Sequence, residues 1–213
     1  MSVTPKPEGR HHHGALREAL LAALAEIVLE RGPEAVTLRE CARRAGVSHS
    51  AAAPHFGDKR GLLTAFALQG EEKLAQAMRD ALAALPGDAG PEARLAATGR
   101  GYIAFARAHP AHFRLMFRTD LIDRADPAWS DAVRNSFALL SDAMAAVRPG
   151  MDARARRARL ALAWAGVHGF CTLRAEGTGD LWTPEVAEDL IALLVAACAA
   201  PVRTPSAEGR VPS

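Results

Sequence analysis

The sequence predicts an all-α fold, with a three-helix N-terminal domain and a larger helical C-terminal domain. Three observations carry this. Alanine is abundant and β-branched residues are sparse, which favours helix over strand. Apolar residues recur three and four apart, and no segment alternates as a half-buried strand does. Capping residues, prolines and glycines punctuate the chain at helix-length intervals. The 213 residues suffice for one large or two small domains, and 49% hydrophobic with 23% charged content excludes general disorder and fibrous repeats.

Met1–His13 is polar, with Pro5, Pro7 and Gly9 as breakers, and is expected to be a mobile arm. It offers no apolar leader, and the longest apolar run, Leu190–Pro201, is too short to span a bilayer. The expectation is a cytoplasmic protein that makes no use of a membrane. His11, His12 and His13 are adjacent, and neighbours in sequence do not converge on one ion, so no metal site is expected there.

The first helix is expected over Ala15–Arg31, with Leu16, Leu20, Leu24, Ile27 and Val28 on one stripe and Gly32-Pro33 as its stop. Thr37-Leu38-Arg39-Glu40 reads as a capping box opening a short helix over Leu38–Ala45. Ser48 caps a third helix from His49, which Phe56-Gly57 ends. Asp58 then caps a fourth, from Lys59 to about Ala84. Later helices are expected over Pro91–Ala108, Pro110–Thr119, Pro127–Arg148 and Asp152–Glu176, and from Pro184 to near Ala200. The proline-rich tail from Pro201 to Ser213 is expected to be disordered. The domain boundaries that follow are 14–60 and 61–200.

Thr37–Phe56 is the informative stretch. Two short helices meet at Gly46-Val47-Ser48, with the small Ala42 four positions before the glycine. A small residue lets helix axes approach, and glycine allows the sharp turn between them. This is the helix-turn-helix pattern, whose second helix enters the major groove of DNA. Charge agrees. Residues 1–60 hold 9 basic and 7 acidic groups, whereas 61–213 hold 17 of each. Within 37–60, Arg39, Arg43, Arg44, Lys59 and Arg60 face only Glu40 and Asp58. A basic cluster on a balanced chain suits a polyanion.

The string Thr37-Leu38-Arg39-Glu40-Cys41-Ala42-Arg43-Arg44-Ala45-Gly46-Val47-Ser48, continued by His55-Phe56, Lys59 and Leu62-Leu63, resembles the TetR family of bacterial transcriptional regulators. His12-His13-Gly14-Ala15-Leu16-Arg17, His109–Phe117 and Trp164-x-x-x-His168-Gly169 resemble one subgroup of it. The resemblance implies a DNA-binding regulator, a repressor that a small-molecule effector releases from its operator. It implies that Thr37 caps the second helix and offers its hydroxyl and amide to a phosphate, and Arg39 joins it among the DNA-binding candidates. Ser48, His49, Ser50 and Ala51 would open the reading helix, and His55 and Lys59 would grip phosphates. Two departures stand out. The family usually has tyrosine where this chain has Ala53, and Pro54 sits inside the reading helix, where it is expected to kink or end it.

One reading head makes few contacts, and dimers solve this by reading two half-sites. On the expected 152–176 helix, Leu162, Gly166, Gly169 and Leu173 share one face. With Leu190 and Leu194 of the last helix they form the expected interface of a homodimer, closed as a four-helix bundle. Ten of the eleven aromatics follow Phe56. Phe105, Phe117, Phe137, Trp164, His168 and Cys171 are the candidates for lining an effector site that takes a small, largely apolar molecule. No cofactor is expected.

Two other readings compete. Cys171 and His168 are three residues apart and could form a nucleophilic pair, but no oxyanion loop, phosphate loop or metal motif accompanies them, so an enzyme is not expected. Cys41 could make the regulator responsive to thiol redox state. Cys41, Cys171 and Cys198 are odd in number and far apart, which suits reduced thiols.

Overall fold

The computed structural model describes residues 9–178 and 182–201, and of residues 9–13 the backbone alone. The described residues form α1 (Gly9–Arg31), α2 (Leu38–Arg44), α3 (His49–Phe56), α4 (Lys59–Ala83), α5 (Pro91–Ala108), α6 (Pro110–Met116), α7 (Pro127–Val147), α8 (Ala153–Ala175) and α9 (Pro184–Ala199). A single 3-10 turn covers Pro33–Ala35, and no strand occurs among the described residues.

Local chemistry accounts for the boundaries. Thr37, Ser48, Asp152 and Thr183 each have extended backbone, and their side-chain oxygens accept from an amide in the first turn of α2, α3, α8 and α9. These bonds satisfy donors that a helix start leaves unpaired. Pro110, Pro127 and Pro184 stand at first helical positions, where a missing N–H costs nothing. Two boundaries differ from expectation. α1 starts at Gly9 rather than Ala15, because nothing in 9–14 forbids helix once Gly9 begins it. α6 stops at Met116 rather than Thr119, because the Arg118 amide donates to the Leu115 carbonyl at 2.8 Å and tightens the last turn. The rest of the expected arm (1–8) and the tail beyond Pro201 lie outside the described residues.

The chain packs as two compact units, one up to Ala77 with Ala104–Phe137, the other Met78–Ile103 with Ala138 onward. In the first, Leu20, Leu24, Ile27 and Val28 of α1 are fully buried, as are Leu62, Leu63 and Phe66 of α4 and Leu115 and Met116 of α6. Each buried aliphatic side chain contributes roughly 1.5–3 kcal/mol of apolar transfer. α1 packs on α2 and α6, and α2 on α3, so the two short helices have a firm base.

In the second unit, Leu95, Met144, Leu160, Ala163 and Cys198 form the core. α8 and α9 lie against each other. Buried Arg159 donates to the carbonyls of Cys198 at 2.9 Å and Ala200 at 2.6 Å, and Arg148 to that of Ala199 at 3.2 Å. Two guanidinium groups thus satisfy the last carbonyls of α9 and oppose the negative end of its dipole.

Candidate nucleic-acid interface

The α2–α3 turn follows from its backbone. Gly46 has φ of 70°, a left-handed conformation natural to glycine. Its amide donates to the Arg43 carbonyl at 3.2 Å and the Val47 amide to that of Ala42 at 2.9 Å, a Schellman arrangement. Ser48, extended, then caps α3, its hydroxyl oxygen accepting from the Ala51 amide at 3.2 Å. Cys41, Ala42 and Ala52 are buried beneath the turn.

Thr37, Arg39, Ser48, His49 and Ser50 are exposed, and Ala51, His55 and Lys59 half-buried. Thr37 Oγ1 accepts from the Glu40 amide at 3.1 Å, which leaves its O–H to donate outward. Ser48 and Ser50 hydroxyls lie 3.0 Å apart. The Lys59 ammonium donates to the Glu34 carbonyl at 2.8 Å, which fixes the side chain and leaves two donors for a phosphate. Pro54 does not end α3, which continues to Phe56 and keeps the Gly57-to-Ala53 backbone bond at 2.8 Å. The carbonyl robbed of its partner belongs to exposed Ser50, where water can serve it.

The basic cluster is less available than its count implies. Glu40 accepts from Arg43 twice at 2.8 Å, from Arg44 at 3.2 Å and from Arg31 at 3.3 Å. Arg44 also grips Glu30 at 2.5 and 2.9 Å. These guanidinium groups hold the Glu40 carboxyl at about 2, well below the usual carboxylate range. Glu40 therefore serves an ion-pair network on α1 and α2, and among the described residues it does not return a bond to the Thr37 amide as a full capping box would. Arg39 makes no ion pair or hydrogen bond among the described residues and stands exposed.

Two residues escaped the sequence reading. A Cβ on Gly61 would meet the Phe56 carbonyl oxygen at 2.1 Å, so only glycine fits where α4 leaves α3. Asp58 caps that helix, Oδ1 accepting from the Gly61 amide at 2.8 Å. Arg17 of α1 stacks over the Phe56 ring, 5.7 Å from its centroid, and braces the same junction.

The second unit contains a cavity of about 40 Å³, lined by Met78, Tyr102, Leu140, Trp164, Ile191 and Leu194 among others, with no charged side chain. Of the six candidates for the effector site, Trp164 alone lines it. His168 is hydrogen-bonded to Tyr102 across 2.9 Å, and burial holds its pKa below the usual value. Cys171 is buried but does not line the cavity, and Cys198 does. Phe105, Phe117 and Phe137 belong to the first unit, where Phe105 is core, Phe117 is half-buried and Phe137 is exposed. Tyr102, the chain's single tyrosine, was the overlooked polar signal.

Of the dimer candidates, Leu162 and Leu173 are exposed, Gly169 and Leu190 half-buried. Gly166 and Leu194 meet each other instead. A Cβ on Gly166 would lie 2.7 Å from a Leu194 methyl, so this glycine serves the α8–α9 contact within the chain.

The thiols are shielded. Burial pushes Cys41 up to about 11 and Cys171 up to about 12, far from the thiolate character a nucleophile or redox sensor needs. Among the described residues no cluster suits a metal ion, and no helix is long and apolar enough to cross a membrane.

An all-helical chain that presents two short capped helices across a left-handed glycine is a helix-turn-helix, DNA-binding transcription regulator. The family model described as "Bacterial regulatory proteins, tetR family" matches residues 20–66, and "Tetracyclin repressor-like, C-terminal domain" matches 95–198. The chain belongs to the TetR family. It is similar to a solved protein of unknown function from Rhodococcus sp. RHA1, at 30% identity and a TM-score of 0.70, covering 90% of this chain and 97% of that one. It shares its fold with the TetR family regulator PfmR from Thermus thermophilus (21% identity, TM-score 0.62, 83% and 97% covered). It does so too with the ketosteroid transcriptional regulator KstR2 of Mycobacterium tuberculosis (19%, 0.63, 92% and 98%). No functionally curated protein matches it.

Proposed function

We propose that the chain is a dimeric, cytoplasmic repressor of the Trp-x-x-x-His-Gly subgroup, released from its operator by a small, largely apolar, uncharged effector. Residues 14–60 read DNA, and 61–200 take the effector and form the dimer. Thr37, Arg39 and Lys59 position the backbone, and His49, Ser50 and the Ala51 methyl read base edges.

The observation that carries the effector reading is the uncharged cavity beside the Tyr102–His168 pair. At about 40 Å³ it accepts a few water-sized groups, so an effector must spread the helices that line it. That requirement makes binding selective for a different conformation. An effector shifts the DNA equilibrium only by binding the non-DNA form more tightly. α4 starts at Lys59 and supplies Met78 to the lining, so one helix has residues in both roles.

The test is selection of bound duplexes from a random pool, then release assays with neutral hydrophobic compounds. The reading expects one palindromic site and release by a neutral compound, abolished in Trp164→Ala. Release by none of them, or only by oxidants, overturns it.

A further inference from the structure

We infer that Arg118, on the loop after α6, is a positioning residue for DNA binding: it holds the Glu34 carboxylate away from the Lys59 ammonium, which stays free to meet a phosphate. This rests on the DNA-binding role proposed above for Lys59 and names what keeps that lysine available.

Five residues close a ring. The Lys59 ammonium donates to the Glu34 carbonyl at 2.8 Å. The Glu34 carboxylate accepts from Arg118 Nη1. Arg118 also donates to both carboxylate oxygens of Asp120, at 3.1 Å from Nε and 2.9 Å from Nη2. The Asp120 carbonyl accepts from Arg60 at 3.2 Å, and Arg60 follows Lys59 in the chain. One side of the ring is firmly built. Arg60 donates to the Ile122 carbonyl at 2.9 Å as well, and the Asp123 amide donates to the hydroxyl of buried Thr64 at 2.8 Å. The loop is thus fastened to the first two turns of α4. The other side is loose by itself. Glu34 sits in the lone 3-10 turn, whose two backbone bonds each span 3.3 Å.

Charge says what the ring does for Lys59. Glu34 offers that lysine two acceptors, a carbonyl and a carboxylate, and the carboxylate is the stronger partner for an ammonium. Among the described residues Lys59 takes the carbonyl and makes no ion pair with the carboxylate. Arg118 has claimed the carboxylate, in a fork it shares with Asp120, and holds both carboxyls below the usual range. A Cβ on Gly32 would meet Glu34 Oε2 at 3.2 Å, so the carboxylate lies back over Gly32. An ammonium on a neutral carbonyl keeps its full charge and two donors. Paired with the carboxylate it would be neutralised, and Glu34 would compete with the phosphate. Arg118 already spends three donors within the ring, so it acts through Glu34.

The experiment follows binding of the full chain to the duplex recovered by selection, using fluorescence anisotropy across a salt series, with circular dichroism to check the fold. Lys59→Ala and Arg118→Ala should each weaken binding by roughly three- to tenfold and lower the slope of log affinity against log salt by about one. The two together should do no more than either alone. Glu34→Gln removes the competing carboxylate and keeps the carbonyl, so it should restore binding to Arg118→Ala. A loop that merely loosened would give neither result. Arg118→Gln replaces Arg118→Ala if alanine costs helix. Wild-type binding by the Arg118 variant, losses and slope changes that add in the double variant, or no rescue by Glu34→Gln overturn the inference and leave Lys59 standing. Unchanged binding by Lys59→Ala overturns the lysine's role and the inference with it. A selection that recovers no duplex overturns the DNA reading itself.

Discussion

A Cβ added to Gly61 would stand 2.1 Å from the carbonyl oxygen of Phe56, so the end of α3 and the first turn of α4 touch at their backbones. Asp58 closes the junction with its cap, and Arg17 braces it from α1. Gly61→Ala must open this turn, because a carbonyl cannot rotate away as a side chain can. The expected cost is roughly 1–3 kcal/mol, with operator binding weakened as Lys59 and His55 shift. Gly70→Ala is the control. Its Cβ would meet His112 Cβ and Met116 Sδ at 3.3 Å, contacts that need a shift of only a few tenths of an ångström rather than an opened backbone turn. Urea melts and mobility-shift titrations of the two variants check this, and equal behaviour would contradict it.

Arg39 and Arg43 sit on one short helix, yet they should differ on DNA. Arg43 is bound twice to Glu40 at 2.8 Å, whereas exposed Arg39 has no partner among the described residues. Arg39→Ala should lower operator affinity at low salt and reduce the slope of log affinity against log salt by about one, the signature of one lost phosphate contact. Arg43→Ala should leave the slope nearly unchanged and should lower thermal stability only slightly, since Glu40 keeps Arg44 and Arg31. Fluorescence anisotropy across a salt series separates the two.

What could be read in the sequence was local. Caps at Thr37, Ser48 and Thr183, prolines at Pro110 and Pro184, and the turn at Gly46 act within one helical turn, so residue type at fixed spacing reveals them. What could not be read depends on partners far along the chain. Arg44 counted as a free cation until α1 brought Glu30 to it. Gly166 looked like a partner-facing residue because helical spacing says which residues share a face and not what that face meets. Leu194 of α9 meets it. Aromatic type could not divide Phe105, a core residue of one unit, from Trp164, a cavity wall of the other. Pro54 would break a helix interior, yet the bond it removes here belongs to exposed Ser50.

His112 should shape the acid limb of stability. Its ring stacks on Phe66 at 3.9 Å between centroids, and Nε2 donates to Gln69 Oε1 at 2.9 Å. Burial first, then Lys73 and His109, push it down to about 4 from the ordinary 6.5. Below 6.5 the unfolded chain takes up this proton while the folded chain refuses it. Stability therefore falls as pH drops from about 6.5 towards 4 and loses no more to this group below that. His112→Phe should remove up to one proton of slope within that window and leave the limb below pH 4 unchanged. There Glu40, held down by Arg43 and Arg44, still loses its contribution as pH falls from 4.5 towards 2. Urea melts at half-unit pH steps measure both slopes.

Gly166 and Gly169 lie three residues apart on α8 but should respond oppositely to alanine. Both variants gain helix propensity, about 1 kcal/mol in an open position. At Gly169 nothing stands within 4 Å of an added Cβ, so Gly169→Ala should raise the melting temperature of the isolated fold. Its methyl would then protrude from the face proposed for the dimer and weaken dimerisation several-fold, since an added side chain keeps two helices apart. At Gly166 the new Cβ would press on Leu194 methyls at 2.7 and 2.8 Å. Leu194 lines the cavity, so a shift of its side chain can take space the effector needs. Gly166→Ala should therefore leave dimerisation unchanged, offset most of its propensity gain by crowding, and weaken release by the effector. Sedimentation and ligand-release assays on the two variants give opposite patterns if the glycines face what their surroundings indicate. Matching patterns would mean that one face serves both.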